Sequence, residues 1–113
     1  MTVKLGSKLP KNEDQNGLDE LFRQFMHDPG RPQVVIAIVQ TSKITRDLEN
    51  YDAVPTVTVR AIEAVDGDDA GKLRAMLQRR HEERTGNLEL PAEWESVLAS
   101  ISSPTLPGSE PGR

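Results

Sequence analysis

The run Val34-Val35-Ile36-Ala37-Ile38-Val39 constrains the fold more than any other stretch of this chain. It is six apolar residues in succession, five of them β-branched, and it opens two residues after Pro32. A strand with one face in solvent alternates apolar and polar residues. This run does not alternate, so the expectation is a strand covered on both faces. Ile36 and Ile38 are expected in the core, with Val35, Ala37 and Val39 covered on the opposite face by helices or by a second subunit.

A partner strand follows. Beyond Val39 the sequence stays rich in β-formers through Arg46, then passes through the polar stretch Asp47 to Ala53. Pro55 to Val65 reads as a second strand, with Val57, Val59 and Ala61 expected on one face and Thr56, Thr58 and Arg60 on the other. Two strands of similar length with a short connection make an antiparallel hairpin, because a parallel pair needs a longer crossover.

Helices flank the hairpin. Asn16 is a candidate N-cap with Asp19 three residues on. Leu18, Leu21, Phe22, Phe25 and Met26 share helical spacing and predict one buried face. Asp28-Pro29-Gly30-Arg31-Pro32 ends that helix. Asp66-Gly67-Asp68-Asp69 is an acidic helix start. Leu73, Met76, Leu77 and His81 form the next apolar face, terminated at Thr85-Gly86. Pro91 opens a third helix, on which Trp94, Val97, Leu98 and Ile101 align.

The expected fold is therefore α+β, a long hairpin against about three helices in the order α-β-β-α-α. Residues 1–16 are expected to be flexible, with a short strand at 3–5; residues 17–101 form one domain; the breaker-rich residues 102–113 are a disordered tail. Two long strands alone make a poor sheet and leave both edges open, and an open apolar edge invites another chain. A homo-oligomer is the economical completion.

Several function classes drop out on composition. Net charge is −4, which argues against nonspecific binding to nucleic acid or anionic membrane. There is no cysteine, so disulfides, thiolate metal sites and cysteine catalysis are absent. No apolar stretch approaches the ~18 residues of a membrane span. The N-terminus lacks the apolar core of a signal peptide, and a cytoplasmic protein is expected.

Catalytic motifs are missing too. His27 and His81 stand far apart, without metal-ligand spacing, and read as a helix-end cation and a packing residue. Asp66, Asp68 and Asp69 run straight into a helix rather than around a calcium loop. Asp47, Glu49 and Asp52 are turn residues. The chain holds no nucleophile elbow and no glycine-rich phosphate loop. No catalytic residue, metal or cofactor is assigned.

Two non-catalytic candidates remain. Lys72, Arg74, Arg79 and Arg80 make a locally basic stretch, and Lys43, Arg46 and Arg60 add charge on the hairpin. Presented together they could bind a nucleic-acid backbone or a nucleotide phosphate. The alternative is a solvated helix face with Arg79 paired to Glu82 and Glu83, and that is the preferred reading. Stacking aromatics are scarce, with Phe22, Phe25 and Trp94 at expected core positions. The second candidate is a protein-contact surface made by Val35, Val39 and Tyr51, a lone aromatic at the polar hairpin tip, for which folding back onto the chain's own surface is the equal alternative.

The opening Met-Thr-Val-Lys-Leu-Gly, the Leu21-Phe22-Arg23-Gln24-Phe25-Met26 helix and the hairpin entry resemble small orphan proteins encoded by phages of actinobacteria. The resemblance spans about residues 1–85 and transfers no catalytic residue. It implies an accessory protein that binds a host or phage component. The expected function is thus a non-enzymatic, oligomeric binding protein of accessory or inhibitor type.

Overall fold

A computed structural model describes residues 2–46, 49 and 52–102 of the chain. Strand β1 is Lys4–Leu5, β2 is Val35–Arg46 and β3 is Ala53–Ala64. Helix α1 is Phe22–His27, α2 is Ala70–Thr85 and α3 is Ala92–Ser102. Among the described residues the fold is α+β, with a mixed three-stranded sheet and three helices. The chain divides into two compact units. One holds the residues up to Asp28 together with Val35–Ala64; the other holds Pro29–Val34 and the residues from Val65 on.

The first unit is built on the hairpin that the two β-branched runs specify. Strand order is β1-β3-β2, with β2 antiparallel and β1 parallel to β3. Two irregularities interrupt the β2–β3 ladder. Ile38 pairs with Ala61 and Val39 with Val59, which leaves Arg60 as an extra residue on β3. Thr41 pairs with Val57 and Lys43 with Thr56, which leaves Ser42 extra on β2. A bulge shifts the alternation of side chains beyond it. Directly opposite residues share a face. Val57 and Val59 therefore share a face with Val39 and Thr41, while Ala61 joins Ile38 on the other. The simple alternation expected along β3 fails at Arg60 for this reason.

The segment before α1 is tighter than an α-helix. Asn16 does cap it, its side-chain oxygen accepting from the Leu18 N–H at 3.1 Å. The turns that follow, Gly17–Leu21, are 3₁₀, and α1 then runs only six residues. The 3₁₀ segment packs on β3, and Asn16 bridges Ile62 at the strand's free edge. Leu21 and Ile62 are the buried side chains that these two elements contribute. Gly17 eases this approach: a Cβ there would displace the Glu63 carboxylate and stand 3.0 Å from the Ile62 carbonyl oxygen. The expected buried stripe on α1 is not formed. Phe22 is 64% exposed and Met26 67%, and Phe25 also lies in solvent. Six residues ended by Pro29, Gly30 and Pro32 are too short a helix to lay a broad face on the sheet.

The second unit pairs α2 with α3. Asp66 accepts from the Asp68 N–H at 3.0 Å, capping the 3₁₀ turn Gly67–Asp69 that leads into α2. Gly86 ends α2 in the left-handed region at φ 76°, with its N–H on the Glu82 carbonyl at 2.7 Å. Glycine reaches that conformation without steric penalty. Ala70, Leu90 and Leu98 are buried in this unit. Met76, expected on the apolar face, is exposed, as is much of Trp94.

Candidate functional site

The strand read as the most deeply covered is exposed along its whole length. All twelve residues of β2 are exposed, including Ile36 at 53% and Ile38 at 66%. Val35, Val39 and Ile44 are open as well. The expectation that Ile36 and Ile38 lie in the core, with Val35, Ala37 and Val39 covered opposite them, does not hold within one chain. The pattern of the run was right about strand formation and wrong about cover. The reason is position: β2 is an outer strand of the sheet, and the 3₁₀ segment packs on β3 instead.

The free edge of β2 has a defined backbone phase. The Val65 N–H donates to the Val34 carbonyl at 3.0 Å, which turns the Val34 backbone toward its opposite residue. Antiparallel ladders alternate between bonded and non-bonded pairs. The backbone groups of Val35, Ala37 and Val39 therefore point away from β3. The far end agrees: the Gly6 N–H donates to the Val57 carbonyl at 2.7 Å, so Val57 turns its oxygen to β1 and not to Thr41 opposite. From Val35 to Thr41 the odd-numbered residues offer their N–H and C=O groups to the outside. Residues 33–42 carry no charge.

The basic set is divided. Lys72, Arg74, Arg79 and Arg80 lie in one compact unit, and Lys43, Arg46 and Arg60 in the other. On α2 itself the cations point different ways. Arg74 stands two residues from Lys72, about 200° around the helix. Its guanidinium grips Glu95 of α3 with two bonds of 2.6 and 2.7 Å and also reaches Gln78 at 3.3 Å. Its hydrogen bonds to Glu95, and the charge attraction behind them, hold the Arg74 pKa above its ordinary value. The hydrogen bonds from Arg74 hold the Glu95 carboxyl below its ordinary value. Arg74 is thus a clip between two helices. Arg80, not Arg79, makes the i,i+3 pair, donating to Glu83 at 2.9 Å. That corrects the expected Arg79 pairing with Glu82 and Glu83. Among the described residues Lys72 and Arg79 make no ion pair, and they share α2's outer face with Met76 and Glu83.

On the hairpin the cations are strung out. Arg60 is the bulged residue of β3, Lys43 follows the bulge of β2, and Arg46 pairs with Ala53 near the tip. Tyr51, the expected aromatic contact, and Asp47 lie outside the described residues. His81 stacks edge-on against Trp94 with ring centroids 5.6 Å apart, and its Nδ1 lies 3.3 Å from the Asn87 carbonyl. His27 ends α1. Among the described residues no three His, Asp or Glu side chains converge as a metal would require. A shallow cleft between α2 and α3 is lined by Ala70, Gly71, Leu98 and the Arg74–Glu95 pair, and its polar groups are already bonded to each other.

Sequence reading missed the outward display of Ile36 and Ile38 and of Phe22, Phe25 and Met26. For α1 a signal was present in the short distance from Gly17 to Pro29. For β2 the signal was the strand count, which left both hairpin edges open; the run itself looks the same whether its cover is internal or external. No helix of the described residues is long and apolar enough to cross a membrane. No family model, curated protein or solved structure matches the chain.

Proposed function

We propose that this is a non-enzymatic protein that works through protein contact, with β2 as the contact element. One observation carries the reading: the most apolar segment of the chain is an outer strand whose side chains are all exposed and whose outer edge pairs with no other strand among the described residues. Large apolar patches on a soluble chain mark interaction surfaces, and an unprotected strand edge accepts another strand. The exposed Phe22, Phe25 and Met26 add to the apolar surface of the same unit. The absence of any catalytic motif in the sequence agrees with this role. With the resemblance of residues 1–85, the reading becomes a small cytoplasmic accessory or inhibitor protein of phage type.

Ile36→Lys combined with Ile38→Lys tests it. Both positions are exposed, so the variant keeps its circular dichroism spectrum and loses association. Association is read as self-assembly by sedimentation and as partner retention by pull-down from the native host. Wild type that neither self-associates at micromolar concentration nor loses a bound component on this change would refute the reading.

A further inference from the structure

We infer that β2 pairs with β2 of a second copy, antiparallel and centred on Ala37, joining two three-stranded sheets into one of six strands. The inference rests on the protein-contact reading and goes further by naming the partner and the register.

The backbone phase limits the pairing. The outward-pointing groups belong to Val35, Ala37, Val39 and Thr41, so each must meet an outward-pointing residue of the other strand. A two-fold axis perpendicular to the sheet does this and keeps each face on its own side. Centring on Ala37 sets Val35 opposite Val39, Ile36 opposite Ile38 and Ala37 opposite itself. Every one of those positions then meets an apolar residue, and cross-strand apolar pairs are the unit of sheet stabilisation. Moving the centre to Ile38 sets Ile36 against Gln40 and Val35 against Thr41, and moving it to Ile36 sets Ile38 and Val39 against Val34 and Gln33, which lie outside β2; only the Ala37 centre matches five residues that all belong to β2.

Charge and edge protection agree. Residues 33–42 are uncharged, so no like charges meet within the paired stretch. The devices that discourage strand addition lie beyond it: the Ser42 bulge, Lys43 and Arg46 occupy the distal part of β2. The Ala37-centred register ends with Gln33 opposite Thr41, just before Lys43 would face Arg31. Assembly also closes at two copies. The outer edges of the joined sheet carry the two-residue β1, too short to template a further strand.

The chain has no cysteine, so single cysteines report the register cleanly. Ile36 and Ile38 of opposite copies form a non-bonded pair, with Cα atoms about 4.5 Å apart. That lies within the disulfide range of about 4.4–6.8 Å. The same residue of the two copies, displaced by two positions along the strands, stands about 8 Å apart. Under mild oxidation, Ile36→Cys mixed with Ile38→Cys should give a covalent dimer, and either variant alone should stay monomeric on a non-reducing gel. Ala37→Lys sets two like charges opposite each other and should halve the mass seen by light scattering, and mixing it with Ala37→Glu should restore that mass. Cross-linking of Ile38→Cys with itself would place the centre at Ile38 and overturn the register. Wild type that is monomeric at micromolar concentration would overturn the pairing altogether. If Ile36→Lys with Ile38→Lys then still loses a host component, the protein-contact reading survives without self-pairing.

Discussion

Truncating Ile38 and Ile62 to alanine separates cover within the chain from cover by another copy. Ile62 of β3 is 7% exposed, while Ile38 of β2 is 66% exposed. Removing a buried isoleucine side chain typically costs about 2–5 kcal/mol, because the lost transfer energy is joined by an unfilled cavity. Ile62→Ala should fall in that range at any protein concentration. Full burial of such a side chain is worth about 1.5–3 kcal/mol, so the one-third of Ile38 that is covered accounts for about 0.5–1 kcal/mol. Ile38→Ala should cost no more than that in the isolated chain. When two copies pair, Ile38 packs against Ile36 of the second copy, and the cost rises with protein concentration. Urea unfolding followed by circular dichroism at two concentrations, below and above the dimer transition seen by sedimentation, reads both numbers. Wild type should unfold at higher urea in the concentrated sample, since anything that binds only the folded state stabilises it. Ile38→Ala should lose that gain, and Ile62→Ala should keep it. An Ile38→Ala cost equal to that of Ile62→Ala in dilute monomer would refute the argument, because it would mean that β2 is covered by its own chain.

Gly17→Ala should destabilise the first unit by about 1–3 kcal/mol in thermal melts, since the new Cβ crowds the Ile62 carbonyl at 3.0 Å. The Glu95 carboxyl has its folded pKa lowered by Arg74, so its contribution is present above the unfolded carboxylate pKa and is lost as pH falls through the folded one. Glu95→Gln should therefore flatten the acid limb of the melting temperature against pH profile while leaving its neutral limb's slope unchanged. Lys72→Glu with Arg79→Glu tests the anion-binding alternative: wild type should show no salt-sensitive shift with single- or double-stranded DNA or RNA, and a shift that this variant abolishes would reinstate it.

Local signals in the sequence were legible where the chemistry is local. Asn16, Asp66 and Gly86 each act at the helix end where they stand, and each does so through a bond within a few residues. The hairpin was legible because two β-branched runs of equal length leave the chain few alternatives. What was not legible depends on position in the finished sheet. The bulge at Arg60 moves Ala61 to the face of Ile38, and no residue type near it announces the extra residue. The bidentate grip of Arg74 on Glu95 joins residues twenty-one positions apart, whereas sequence spacing offered Arg79 only near neighbours. Whether β2 is covered turns on which strand lies at the edge, and an apolar run carries no mark of that.

The exposed run carries a consequence for the sheet as a whole. A strand edge that is long and apolar is a hazard unless something blocks or occupies it. β2 carries a bulge and two cations, and all of them lie from Ser42 onward. Had protection against strand addition been the only requirement, the apolar half from Val35 to Thr41 would be the place for it. The edge is instead divided into a guarded half and an open half, and the open half is self-complementary about Ala37. The other edge of the sheet is guarded differently, by β1, which covers β3 at only Thr56 and Val57, and by the Asn16 bridge at Ile62. One side of the sheet is thus closed by short pieces of its own chain. The other is left open among the described residues over a stretch whose five residues from Val35 to Val39 meet only apolar residues when paired about Ala37, and that self-match is what the proposed pairing would use.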